Sequence, residues 1–191
     1  MDYKDLVNII IDENKKVLER IDLNEINNLI DEINKAKTIQ LYAMGRMALS
    51  MRGFAMRLKH MGFDVYIVYD TTTPCIEEGD LLLDLCGVTN VEMNIIKCAK
   101  EAKARIGILG AHPENEHGQL ADFSVRVPGR IFGGALEVPS IQPMATLLEQ
   151  SMLLFTDIVV QLLIEKNNID ISAMHKRHTN LEGIGQSFAK N

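Results

Sequence analysis

GFAMRLKHMGFDVYIVY, residues 53–69, contains the end of a helix and the whole of a strand. A helical pattern of apolar residues runs to about Met61, and Gly62 follows it where a glycine C′ residue ends a helix. Then comes DVYIVY, residues 64–69, a short apolar run of strand type. Upstream, a β-rich run over 38–43 leads through Gly45-Arg46 into that helix. Downstream, DLLLDL at 80–85 opens into Cys86-Gly87, a helix is predicted over about 90–104, and strands over 106–109 and 123–127. A long helix over about 142–166 and a short one capped by Asp170 complete the pattern. Strands alternating with helices predict an α/β fold with a mostly parallel sheet covered on both faces.

Residues 3–37 read as two helices, with apolar residues at helical spacing (Leu6, Ile9, Ile10, Val17; then Ile26, Leu29, Ile30, Ile33) and a polar break at Asp22 to Asn24. The chain of 191 residues is read as one domain, with a helical hairpin at 1–37 and an α/β core with C-terminal helices at 38–182. No repeat or low-complexity segment interrupts it.

A net charge of −6 argues against a nucleic-acid partner, which needs a basic footprint. With no Trp, the core is aliphatic, and the ten Met residues are read as core filler. Cys75, Cys86 and Cys98 lack C-x-x-C spacing and are read as reduced thiols, which places the chain in the cytoplasm. The N-terminus is acidic and amphipathic, unlike a signal peptide. The longest apolar stretch, near 152–164, is broken by Thr156, Asp157 and Gln161 and is read as a buried helix, so no membrane partner is expected.

In parallel α/β sheets, ligands sit beyond the carboxyl ends of the strands where the strand order switches. That directs attention to the loops at 44–48, 70–79, 86–91 and 110–118. Gly45 lets backbone amides approach an anion, and Arg46 adds charge. In the loop at 86–91, Gly87 offers the same close approach, and Thr89 or Asn90 can cap the next helix or hydrogen-bond a phosphate or sugar hydroxyl. Glu149 lies among Ala145, Leu147, Leu148, Met152 and Leu153, so a partly desolvated carboxyl suited to moving protons is expected there. His178, near a helix end, is a candidate to open a sugar ring or shuttle a proton, the work to which histidine as a residue type is suited. His112 and His117 share a loop with Glu114 and Glu116, without tight ligand spacing, and no metal is expected.

Several stretches together resemble the 6-phospho-3-hexuloisomerase branch of the sugar isomerase (SIS) family. They are residues 53–68, TTTP at 71–74, GDLLL at 79–83, HPE…G…AD at 112–122, SIQPMATLLEQS at 140–151 and KRHTNLE at 176–182. The resemblance implies a three-layer α/β/α SIS fold with a five-stranded parallel sheet and an N-terminal helical hairpin, assembled as a homotetramer with sites shared between subunits. It implies interconversion of 3-hexulose 6-phosphate and fructose 6-phosphate through an enediol, with no cofactor. Glu149 would then be the base and His178 the ring-opening or shuttling group, with Gly45, Arg46, Gly87, Thr89 and Asn90 binding the sugar phosphate.

The chain departs from that pattern where the family binds phosphate. G-x-G-R-S-G becomes Ala43-Met44-Gly45-Arg46-Met47-Ala48, and S-G-S-G-x-T becomes Cys86-Gly87-Val88-Thr89-Asn90-Val91. The missing hydroxyls imply weak binding of fructose 6-phosphate, with Ser50 and Thr89 as partial substitutes. They keep open an isomerase for an unphosphorylated or differently charged sugar, and a non-catalytic SIS module that binds a sugar or sugar phosphate.

Overall fold

The structure, a computed structural model, describes residues 1–85 and 90–181. Five short strands form its centre: β1 (Ile39–Tyr42), β2 (Val65–Ile67), β3 (Leu81–Leu85), β4 (Arg105–Gly110) and β5 (Phe123–Arg126). They pair in parallel in the order β2-β1-β3-β4-β5, which bears out the five-stranded parallel sheet. β1 and β3 are buried along their whole length, as central strands covered on both faces must be.

The connections explain the layers. β1 passes through α3 (Met47–Met61) to β2 on one side, while β3 passes through α4 (Asn90–Glu101) to β4 on the other. Parallel crossovers are right-handed, so connections running in opposite directions put their helices on opposite faces. α4 packs on β3 and β4 over a small cluster of Leu82, Ile96, Ala99, Ala104, Ile106 and Ile108. The opposite face carries α3, α5 (Thr146–Asn167) and α2 (Leu23–Lys35) over the main core, with Phe54, Leu58, Leu83, Leu148 and Phe155 at its centre.

Helix ends follow local chemistry. Asp22 accepts the amides of Asn24 and Glu25 to start α2. Asp170 accepts the amide of Ser172 to start α6 (Ile171–Arg177), as its sequence context predicts. Gly62 closes α3 at φ +106°, a left-handed conformation that L side chains resist. The helix predicted from about residue 142 instead begins at Thr146. Pro143 and a left-handed Met144 (φ +56°) hold the preceding segment out of helical geometry.

α5 is long and apolar enough to cross a membrane by length and composition alone. In the fold, one face of it, including Leu148, Met152, Phe155 and Val159, lies in the core, as expected of a buried helix. Its other face leaves Leu153, Leu154 and Ile158 exposed. Beside that face packs α1 (Tyr3–Leu18), which with α2 forms the N-terminal hairpin.

Candidate active site

The strand order reverses between β1 and β3, so the crevice lies beyond their carboxyl ends, where β1 leads into Gly45 and Arg46. Gly45 adopts φ +55°, and open space surrounds the position a side chain would take. Arg46 is the N-cap of α3 but gives its first-turn amides no side-chain acceptor, leaving the positive end of the helix dipole to other ligands.

The Arg46 guanidinium forms a short ion pair with the Glu149 carboxylate, joining two residues 103 positions apart. Glu149 sits in the first turn of α5, with its side chain 18% exposed, at the rim of the crevice. The sequence context shows a largely apolar neighbourhood with no cation near this carboxylate; the fold brings a cation to it from another helix.

Ser50 Oγ donates to the Glu149 carbonyl at 3.0 Å, tying α3 to α5. This hydroxyl is therefore engaged in scaffolding, which corrects the expectation that it substitutes for a phosphate-binding serine. Met47, where the resemblance expects a serine, is 4% exposed and packs in the main core. Its side chain fills the interior under the loop. Gly87 and Thr89 lie outside the described residues, as do Cys86 and Val88. Asn90 is the first residue of α4, and its side chain lies outside the description.

The residues around Glu149 are held by α1, a role sequence reading missed. The Glu13 carboxylate accepts Ser140 Oγ at 2.7 Å, the Ile141 amide at 2.9 Å and Gln142 Nε2 at 3.1 Å. Asn14 accepts Ser151 Oγ at 2.9 Å and donates to Gln150 at 3.1 Å. Four polar residues of the SIQPMATLLEQS stretch thus bond to two neighbouring residues of the hairpin. The one available signal was that Glu13 and Asn14 fall at helical spacing from Ile10 and Val17, on the apolar face of an amphipathic helix. Asp84, almost fully buried at the carboxyl end of β3 beside Tyr42, is a second crevice residue that sequence reading passed over.

His178 lies elsewhere on the chain. It ends α6 as its C-cap residue and lines a cavity of about 300 Å³ with Arg57 and His60 of α3 and with Val160 and Ile164 of α5. Val160 is about 16 Å along α5 from Glu149, at about 1.5 Å per residue. One chain therefore keeps Glu149 and Arg46 together and holds His178 apart from them.

His112 and His117 take a third position, after β4. His112 Nε2 meets the Glu137 carboxylate at 2.6 Å, and its Nδ1 meets Glu114 at 3.2 Å. The Glu137 hydrogen bond chiefly raises the His112 pKa above its usual 6.5. Burial would raise the Glu137 pKa, but the bonds from His112 and from the amides of Phe132, Ile131 and Gly133 hold it below 4.5. This arrangement pins the 131–137 turn to the β4 loop. Among the described residues, no group of three or more His, Cys, Asp or Glu is arranged to hold a metal ion.

No protein-family model matches the sequence. Individual relatives do. The chain is 38% identical over 164 residues to the 3-hexulose-6-phosphate isomerase of Bacillus subtilis, covering 83% of this chain and 87% of the relative. It is 36% identical over 163 residues to the enzyme of the same name from Methanocaldococcus jannaschii, covering 83% and 84%. A crystal structure of a Methanococcus jannaschii protein, from which a 3-hexulose-6-phosphate isomerase function was inferred, superimposes with a TM-score of 0.81 at 31% identity, covering 93% of this chain and 99% of that one.

Proposed function

This chain belongs to the 3-hexulose-6-phosphate isomerase family of SIS-fold sugar isomerases, and from that premise we propose that it interconverts 3-hexulose 6-phosphate and fructose 6-phosphate with Glu149 as the base. The observation that carries the assignment of the base is the position of Glu149: a mostly buried carboxylate at the switch-point crevice, paired with a cation that can take an anionic substrate group.

The chemistry follows from the carbonyl shift. The Glu149 carboxylate removes the proton from C2 while the C3 carbonyl oxygen gains one, giving a 2,3-enediol. The C2 hydroxyl then loses its proton as C2 becomes the carbonyl, and Glu149 returns a proton to C3. Atoms balance without an oxidant. Arg46 exchanges the carboxylate for the substrate phosphate, assisted by the amino end of α3. This frees Glu149 for proton transfer as the substrate binds.

His178 acts at the Glu149 of a second copy of the chain, since in one chain the two lie too far apart to share a hexulose. Assembly as a tetramer supplies that copy. Its support is an exposed apolar groove of about 740 Å³ between α1 and α5, walled by Ile10, Ile11, Leu18, Leu153 and Leu154. The test is to incubate the protein with 3-hexulose 6-phosphate in D₂O. Fructose 6-phosphate carrying deuterium at C3 is the expected product. Absence of conversion at high protein concentration overturns the reading.

A further inference from the structure

His60 is the histidine of the AMRLKHM stretch, and nothing in the reaction above employs it. It sits in the last turn of α3 and is 8% exposed. A buried imidazole in this place needs a reason, because polar side chains are costly to bury. Its ring lies 5.0 Å from the ring of His178, tilted by 40°. We propose that His60 is a positioning residue for His178, holding that imidazole in one orientation and one tautomer so that Nε2 is presented outward as the proton carrier. The proposal rests on the reading of His178 as the shuttling group.

Three contacts support it. His178 Nδ1 lies 3.2 Å from the Thr179 carbonyl oxygen. A carbonyl only accepts, so the proton of the neutral ring belongs on Nδ1 and the lone pair on Nε2. Arg177 Nη1 donates to the His60 carbonyl at 3.2 Å, so the residue before His178 is moored to the same turn of α3. The Arg177 guanidinium also lies over Gly62, about 3.4 Å from where a Cβ would stand, so a larger residue there would crowd it. The end of α6 is thus anchored to the end of α3 at backbone and ring level together.

The charges around the pair favour a neutral His60. Burial, then His178 and Arg57, lower the His60 pKa below 6.5. Arg57 comes from α3 and His175 from α6; α5 contributes Val160, Gln161 and Ile164 to the cavity and no charge. Among the described residues, no carboxylate lines this cavity to offset a second proton. His60 therefore serves as a neutral, shape-defining neighbour while His178 takes and returns the proton.

The experiment compares His60→Ala, His60→Phe and His178→Ala in the full chain, with kcat and KM for 3-hexulose 6-phosphate and ¹⁵N shifts of the His178 ring. His60→Ala should lower kcat about ten- to hundredfold with KM nearly unchanged, the scale of a misplaced catalytic group. It should also shift the His178 signals from the Nδ1–H tautomer toward a mixture, which a loss of global stability alone would not do. His60→Phe keeps a ring in the same place and should restore both. A fall in activity with His178→Ala but not with His60→Ala overturns the positioning role alone. An unchanged His178→Ala overturns the reading of His178 and the proposal with it. Failure of His60→Phe to restore kcat and tautomer overturns ring packing as the mechanism.

Discussion

Ser151 Oγ of α5 donates to Asn14 Oδ1 of α1 at 2.9 Å, between two buried groups 137 positions apart. Two residues before Ser151 stands Glu149, and one residue before Asn14 stands Glu13, which binds the 140–142 segment. The hairpin thus forms one wall of the scaffold that sets the start of α5. Buried polar networks of this kind are costly to break, because each deleted member strands its partners.

Removing Glu13 should therefore be expensive. Glu13→Ala leaves Ser140 Oγ, the Ile141 amide and Gln142 Nε2 without their acceptor, and should destabilise the fold by about 3 kcal/mol. Glu13→Gln, which keeps one acceptor oxygen, should lose less. Urea unfolding of both variants measures this, and equal stability of Glu13→Ala and the unmodified chain would contradict it.

Glu149→Gln should reduce turnover by about 100-fold or more at nearly unchanged shape, since an amide cannot accept the C2 proton. The urea midpoint should move little, because the carboxylate's partner Arg46 is half exposed and such pairs contribute little to stability. An isomerase indifferent to this change uses another base.

The phosphate end should behave differently from what a motif comparison suggests. Met47→Ser restores the family residue on paper but empties part of the core, and should cost about 2–4 kcal/mol without strengthening sugar-phosphate binding. The unmodified chain should bind fructose 6-phosphate weakly, with Kd about 1 mM. Val88→Ser with Val91→Thr, leaving Met47 in place, should tighten it about tenfold, the effect of roughly one added hydrogen bond to a charged group. Titration calorimetry reads all three, and micromolar binding by the unmodified chain would show that Arg46 and backbone amides suffice.

The Arg105–Glu32 pair predicts an acid-side pH dependence. Burial alone would raise the Glu32 pKa, but hydrogen bonds from Arg105 at 2.9 Å and Lys35 at 3.1 Å hold it below 4.5. A carboxylate with a depressed folded pKa contributes stability above its unfolded pKa and loses that contribution as pH falls through the folded value. Arg105→Gln should thus be less stable than the unmodified chain at pH 7, with the gap narrowing as pH falls below 4.5. His112 runs the other way: its raised pKa gives stability that is full below 6.5 and is lost as pH rises through the folded value. Urea midpoints across pH 3 to 9 check both signs.

The α1–α5 groove predicts assembly. Ile11→Asp with Leu153→Asp places charge on two exposed walls of the groove and should convert the proposed tetramer to smaller species in sedimentation velocity, with turnover falling if, as proposed, His178 serves a partner's site. A monomer for the unmodified chain at micromolar concentration would contradict the assembly.

Much of the architecture was legible in the sequence because its causes are local. The apolar runs at 64–69 and 80–85, Gly62 after a helical pattern and Asp170 ahead of α6 act within a few residues, and the right-handed crossover rule turns their alternation into a layered parallel sheet. Glu149 and Arg46 were each marked by their sequence context. Their pairing was not, because ion pairs between helices depend on how the helices pack, which no spacing encodes. The same holds for Met47 and Ser50: one α3 turn puts the thioether in the core and ties the hydroxyl to the Glu149 carbonyl, so Ser50, weighed as a substitute phosphate ligand, became scaffold, and Met47, where the family has a serine, became core. The start of α5 slipped to Thr146 because the left-handed backbone at Met144 reflects its surroundings and not a glycine the sequence could announce. His178 could be named from its motif, yet its company, a buried His60 on another helix and a Glu149 far along α5, was decided only when α6 docked on α3.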